Sequence, residues 1–146
     1  MKSKFLFYLL SWTWGLPLSI CGGIVALVLL ATKHKPKKFG YCYYFEVGKT
    51  NWGGLELGMF FLCSKNASEH TKNHEHGHAI NNTWFGPFMP LLVSIPSAIR
   101  YHYRNIRRKI GKPCKIGYDD IWFEKLATDT GTKFMDWYNS LEKQNS

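Results

Sequence analysis

Between Phe5 and Ala31 the chain runs for 27 residues without a charge. A helix of that length exceeds the roughly 20 residues needed to cross a bilayer core, and the run predicts an N-terminal transmembrane helix. Gly15, Pro17, Gly22 and Gly23 lie inside it, where they kink a helix or admit a close neighbour. The run is too long for the apolar region of a secretory signal peptide. Lys33, His34, Lys35, Lys37 and Lys38 follow it directly. Residues 1–38 therefore read as a membrane anchor with a basic flank. Four lysines after the span against Lys2 and Lys4 before it place the rest of the chain on the cytoplasmic side. A second uncharged stretch, Trp84 to Ile99, has 16 residues and is interrupted by Pro87, Pro90 and Pro96. It is short for a straight span and reads as a re-entrant or interfacial, membrane-associated segment.

The remaining pattern predicts an α+β domain over residues 39–146. Tyr41 to Val47 is rich in strand formers. Gly48 to Gly54 reads as a loop. From Leu55 to Cys63 apolar residues recur with a period of two. The two strands predict a β-hairpin or small antiparallel sheet, which must pack on something to be stable. Ser68 is placed to cap a helix running through about Asn81. Further helices are expected over 98–110, 119–128 and 132–143, with Asp119 near the start of one and Gly131 breaking the last two apart.

Composition sharpens this picture in two ways. Aromatic residues make up 16% of the chain, too many for a disordered one. Net charge is +9, which fits an anionic membrane surface or nucleic acid. Tyr101, Tyr103 and Tyr118 interleave with basic residues as single-strand binders do. The membrane anchor makes lipid the expected partner and nucleic acid an unlikely one. Cys21, Cys42, Cys63 and Cys114 form no CxxC pair and read as free thiols on a reducing side.

Chemistry concentrates at residues 74–78, His-Glu-His-Gly-His, an HExxH motif. Four residues on a helix put His74 and His78 on one face, one turn apart, where both can bind one Zn²⁺. Glu75 sits about 100° further round. From there it can act as general base on a metal-bound water. His76 points to another face. A catalytic zinc needs a third protein ligand. After His78 the acids are Asp119, Asp120, Glu124, Asp129, Asp136 and Glu142, and the one histidine is His102. Glu124 sits among Trp122, Phe123 and Leu126, so a buried carboxylate there needs a partner such as a metal. His102 is the rival.

Asn-His-Glu-His-Gly-His-Ala-Ile, followed by Glu124-x-x-Ala127 on a later helix, resembles the gluzincin type of zinc metallopeptidase. The resemblance implies His74, His78 and Glu124 as zinc ligands, Glu75 as catalytic base, and an extended substrate held along a strand edge beside the HExxH helix. Gluzincins often carry an acid four residues after the third ligand, where this chain has Thr128. The stretch from about Tyr43 to Tyr103, with Phe-Gly-Pro-Phe-Met-Pro and Ile-Pro-Ser-Ala-Ile-Arg, is also similar to small bacterial membrane-associated proteins of unassigned function.

The expected protein is thus a membrane-anchored zinc metallopeptidase acting on a peptide or protein segment near the bilayer. Leu57, Gly58 and Met59, with Gly53-Gly54, are the expected substrate-binding stretch. His102 and Tyr103 are the candidates for transition-state stabilisation, with Tyr101 and Tyr118 also available. The competing reading is a non-catalytic membrane protein with a metal site and a basic surface for lipid or a partner.

Overall fold

A computed structural model describes residues 2–112, 114–117 and 120–144. The expected roles of Tyr118 and Asp119 fall outside the described residues. Among the described residues the fold is α+β, with five α-helices around a small mixed sheet.

The N-terminal apolar run forms two helices, α1 (Lys4–Ser11) and α2 (Leu16–Ala31), bent by 91°. No single helix among the described residues is long and apolar enough to cross a membrane; α1 and α2 reach that length and composition only as a bent pair. The break has a packing cause. A Cβ on Gly15 would collide with the side chain of Asn82, whose amide donates to the Gly15 carbonyl at 3.2 Å. Pro17 then starts α2, where its missing N–H costs nothing. Phe7 of α1 is fully buried in the core shared with the sheet.

Strands β1 (Lys37–Phe39), β2 (Cys42–Thr50), β3 (Gly54–Leu57) and β4 (Phe60–Lys65) lie in the order β1-β2-β4-β3. The expected hairpin between 41–47 and 55–63 is corrected in two respects. Residues 55–63 are themselves the hairpin, β3 and β4, with Leu57 opposite Phe60 across a two-residue turn. Strand β2 runs parallel to β4, with Tyr44 opposite Phe61 and their rings stacked at 5.1 Å. Gly58 takes the first turn position with φ +71°, which glycine adopts at little cost. Its N–H donates to the Glu56 carboxylate. Strand β3 is left at the edge of the sheet.

Helix α3 (Glu69–Phe85) starts at Ser68, whose Oγ accepts from the Thr71 N–H at 3.2 Å. Every residue from His74 to Thr83 is buried. The three prolines break the following stretch into a 3₁₀ turn (Gly86–Phe88) and a π turn (Pro90–Ser94) before α4 (Ile95–Lys109). Helix α5 (Trp122–Gln144) is continuous where two helices were expected. Gly131 is a point of close approach within it. A Cβ there would overlap the Asn73 carbonyl, and one on Gly77 would overlap the Ala127 carbonyl. This pair of glycines lets α3 and α5 pack backbone to backbone.

Candidate metal centre

The α3–α5 contact determines what faces what. His74 and His78 lie one turn apart on α3, and α5 presents Glu124 opposite them. Nε2 of His74, Nε2 of His78 and Oε2 of Glu124 form a triangle with all three edges at 3.1 Å. All three residues are buried, Glu124 completely. A tetrahedral zinc with bonds of about 2.0–2.1 Å separates its ligand atoms by about 3.3 Å, close to this triangle. Two imidazoles and a carboxylate, converging in a buried place, are a donor set that fits a divalent transition ion. Burial alone would raise the Glu124 carboxyl, but hydrogen bonds with His74, His78 and Ser97 outweigh it and hold it well below the usual range.

His74 is oriented from behind. Its Nδ1 lies 2.8 Å from Thr128 Oγ1, one turn beyond Glu124 on α5. Thr128 thus offers the His74 ring a hydroxyl from the same helix that carries Glu124. His76 takes no part. It faces the core, accepts from the Tyr41 N–H at 3.2 Å, and stacks on Phe134 at 4.5 Å. Burial pushes its pKa down to about 3 and keeps the ring neutral.

Glu75 is 6% exposed. Burial pushes its carboxyl up to about 7; the neighbouring His74 opposes this and the Glu124 charge adds to it. The Glu56 backbone also hydrogen-bonds to the Glu75 carboxylate. Glu75 thus sits against the outer edge of β3, which among the described residues pairs with β4 alone. Glu56 itself turns inward, and burial raises its carboxyl well above the ordinary value, with Glu75 adding to the shift.

Two adjoining cavities open along this edge, of about 340 and 390 Å³. Both are lined by Trp52, Gly54, His74, Glu75 and Tyr101. Ser94, at the end of the π turn, and Ser97, Ala98, Tyr101 and His102 of α4 form the opposite wall, recurring at the spacing of one helical face. His102 therefore lines the groove but is absent from the ligand triangle. Tyr103 lies on the other side of α4 and is exposed. Leu57, Gly58 and Met59 sit at the β3–β4 turn. Gly58 packs on Ser19 of α2, and Met59 is in the core. The strand residues that line the cavities are Gly54, Leu55 and Glu56. Nothing in the local pattern of the sequence marks Ser97 or Glu56 for the site; for Thr128 the available signal is a small polar residue one turn from Glu124 on the same helix.

No protein-family model, curated protein or solved structure matches this chain.

Proposed function

We propose that this protein is a zinc metallopeptidase of gluzincin type that works at a membrane surface. The observation that carries the reading is the buried His74–His78–Glu124 triangle opening onto a groove beside Glu75 and a sheet edge. A zinc ion held by these ligands would polarise a scissile carbonyl and make water a competent nucleophile near neutral pH. Glu75 takes the proton from the attacking water and delivers it to the leaving amine, the two transfers a carboxylate placed beside the metal would serve. The β3 edge binds the peptide backbone as an added strand. Tyr101 and His102 face the groove and are among the side chains placed to hydrogen-bond the developing oxyanion.

Membrane placement rests on a separate feature. The groove-facing side of α4 is polar, whereas Ile95, Ile99, Tyr103, Ile106 and Ile110 form a stripe pointing away from the protein, each about half exposed or more. Phe88, Leu91 and Leu92 extend that surface, and Ile20, Ile24, Leu27 and Val28 of α2 add a second one. A soluble monomer rarely exposes so much apolar surface. Arg107, Arg108 and Lys109 close α4 with positive charge, which anionic headgroups favour.

The test is hydrolysis of quenched fluorescent peptides by the full chain in anionic vesicles, wild type against Glu75→Gln. The variant keeps its zinc and loses roughly 10²–10⁴-fold in rate. Hydrolysis that survives this change would overturn the reading.

A further inference from the structure

The two cavities meet at His74 and Glu75 but differ in chemistry on either side. The first continues past His78 to Leu55, Met89, Val93 and Ala98, and no lysine or arginine lines it among the described residues. The second continues to His70, Asn105, Arg104 and Arg108, and the only carboxylate lining it among the described residues is Glu75. Arg104 and Arg108 lie one turn apart on α4, and both line this cavity. Arg104 is also tied down, since its Nη1 donates to the Ile116 carbonyl.

We infer that the second cavity is an anion-recognising subsite, in which Arg104 and Arg108 bind a carboxylate of the substrate peptide on one side of the scissile bond while the first cavity takes a large apolar side chain on the other. This deepens the peptidase reading and rests on it. Guanidinium groups suit carboxylates because their N–H donors match the two oxygens. The cleft walls of Trp52 and Tyr101 exclude part of the water that would screen such a contact. An apolar residue in the first cavity gains by leaving water against Met89 and Val93, both 1% exposed. One peptide then needs both features, an apolar residue and an acidic group, placed on opposite sides of the bond that passes the metal. The acidic group has two sources, an Asp or Glu side chain or the peptide's own C-terminal carboxylate.

Binding tests this apart from catalysis. Labelled peptides are titrated by fluorescence anisotropy into zinc-loaded Glu75→Gln protein in neutral detergent micelles. Four versions of one sequence are compared: acidic side chain with free C-terminus, acidic with amidated C-terminus, Gln with free C-terminus, and Gln with amidated C-terminus. The acidic versions should bind about tenfold more tightly than the neutral one, as a charged hydrogen-bonded pair allows. The middle two identify which carboxylate is read. Arg108→Ala, at an exposed position, and Arg104→Lys, which keeps the charge but not the fork, should each erode the difference; Arg108→Glu should reverse it toward a Lys-containing peptide. Equal binding of all four versions, or an acidic preference untouched by Arg108→Glu, would overturn the subsite. Selective binding without hydrolysis by the wild type would overturn the peptidase reading and leave the subsite standing. Hydrolysis with no acidic preference would do the reverse.

Discussion

Thr128 Oγ1 lies 2.8 Å from Nδ1 of His74, joining α5 to α3 behind the ligand triangle. With a metal ion on Nε2, Nδ1 would carry the ring proton and donate it to the hydroxyl. That fixes the tautomer and the angle of the ring. Thr128→Val keeps the shape and removes the acceptor. Zinc affinity, measured by chelator competition, should fall about 10–100-fold, while Thr128→Ser should stay near wild type. An unchanged affinity in the valine variant would mean that packing alone orients His74.

Metal content tests the triangle itself. Protein purified without chelators should carry about one zinc per chain, as three protein ligands with an open fourth position favour. The His74→Ala/His78→Ala double variant should carry almost none by elemental analysis. Wild-type content below about 0.2 per chain would sink the zinc assignment.

Gly77 and Gly131 hold the two ligand-bearing helices together. A methyl group on either overlaps a backbone carbonyl of the opposite helix, and backbone cannot swing aside as a side chain can. Gly77→Ala or Gly131→Ala should therefore cost at least ~1–3 kcal/mol and draw Glu124 away from the histidines. Both variants should melt at lower temperature and bind zinc more weakly. Gly23 of α2 is the control. Its added Cβ meets only Trp12, at 3.8 Å, so Gly23→Ala should be neutral or stabilise by up to ~1 kcal/mol. A Gly131→Ala variant as stable as wild type would show that the helices can separate without loss.

These contacts mark where sequence patterns stop being informative. The HExxH spacing and the apolar neighbours of Glu124 made the His74–His78–Glu124 cluster legible, because a helix converts four-residue spacing into proximity. Gly131 misled for a physical reason: its helix-breaking tendency is local, and only the approach of Asn73 from α3 explains its place in α5. The β3–β4 turn was hidden because a two-residue turn leaves the two-residue period in phase. On β3 that period also assigned the faces the other way, since Leu55 is exposed and Glu56 buried. The inversion occurs where the strand meets Glu75, at the groove. The bend between α1 and α2 was foreshadowed by Gly15 and Pro17, but its docking on Asn82 was not.

Glu56 offers the last prediction. Its carboxyl is buried, accepts from the Gly58 N–H, and has a raised pKa, chiefly through burial and further through Glu75. In the unfolded chain the same group titrates at about 4.3. Between that value and the higher folded pKa, the folded state binds more protons than the unfolded one. Stability from this group is therefore fully present below about pH 4 and is lost as pH rises toward the folded pKa. Glu56→Gln keeps the carbonyl that accepts from Gly58 and has no proton to lose. Thermal melts in micelles should show little difference between variant and wild type near pH 4. The variant should gain progressively above it, as the buried carboxyl of the wild type is forced to ionise. Glu75 titrates in both proteins and couples to Glu56, so the difference between the two curves reports Glu56 together with its effect on Glu75. A variant less stable than wild type at pH 8, or a gap that does not change with pH, would mean that Glu56 is held ionised by a partner in the groove.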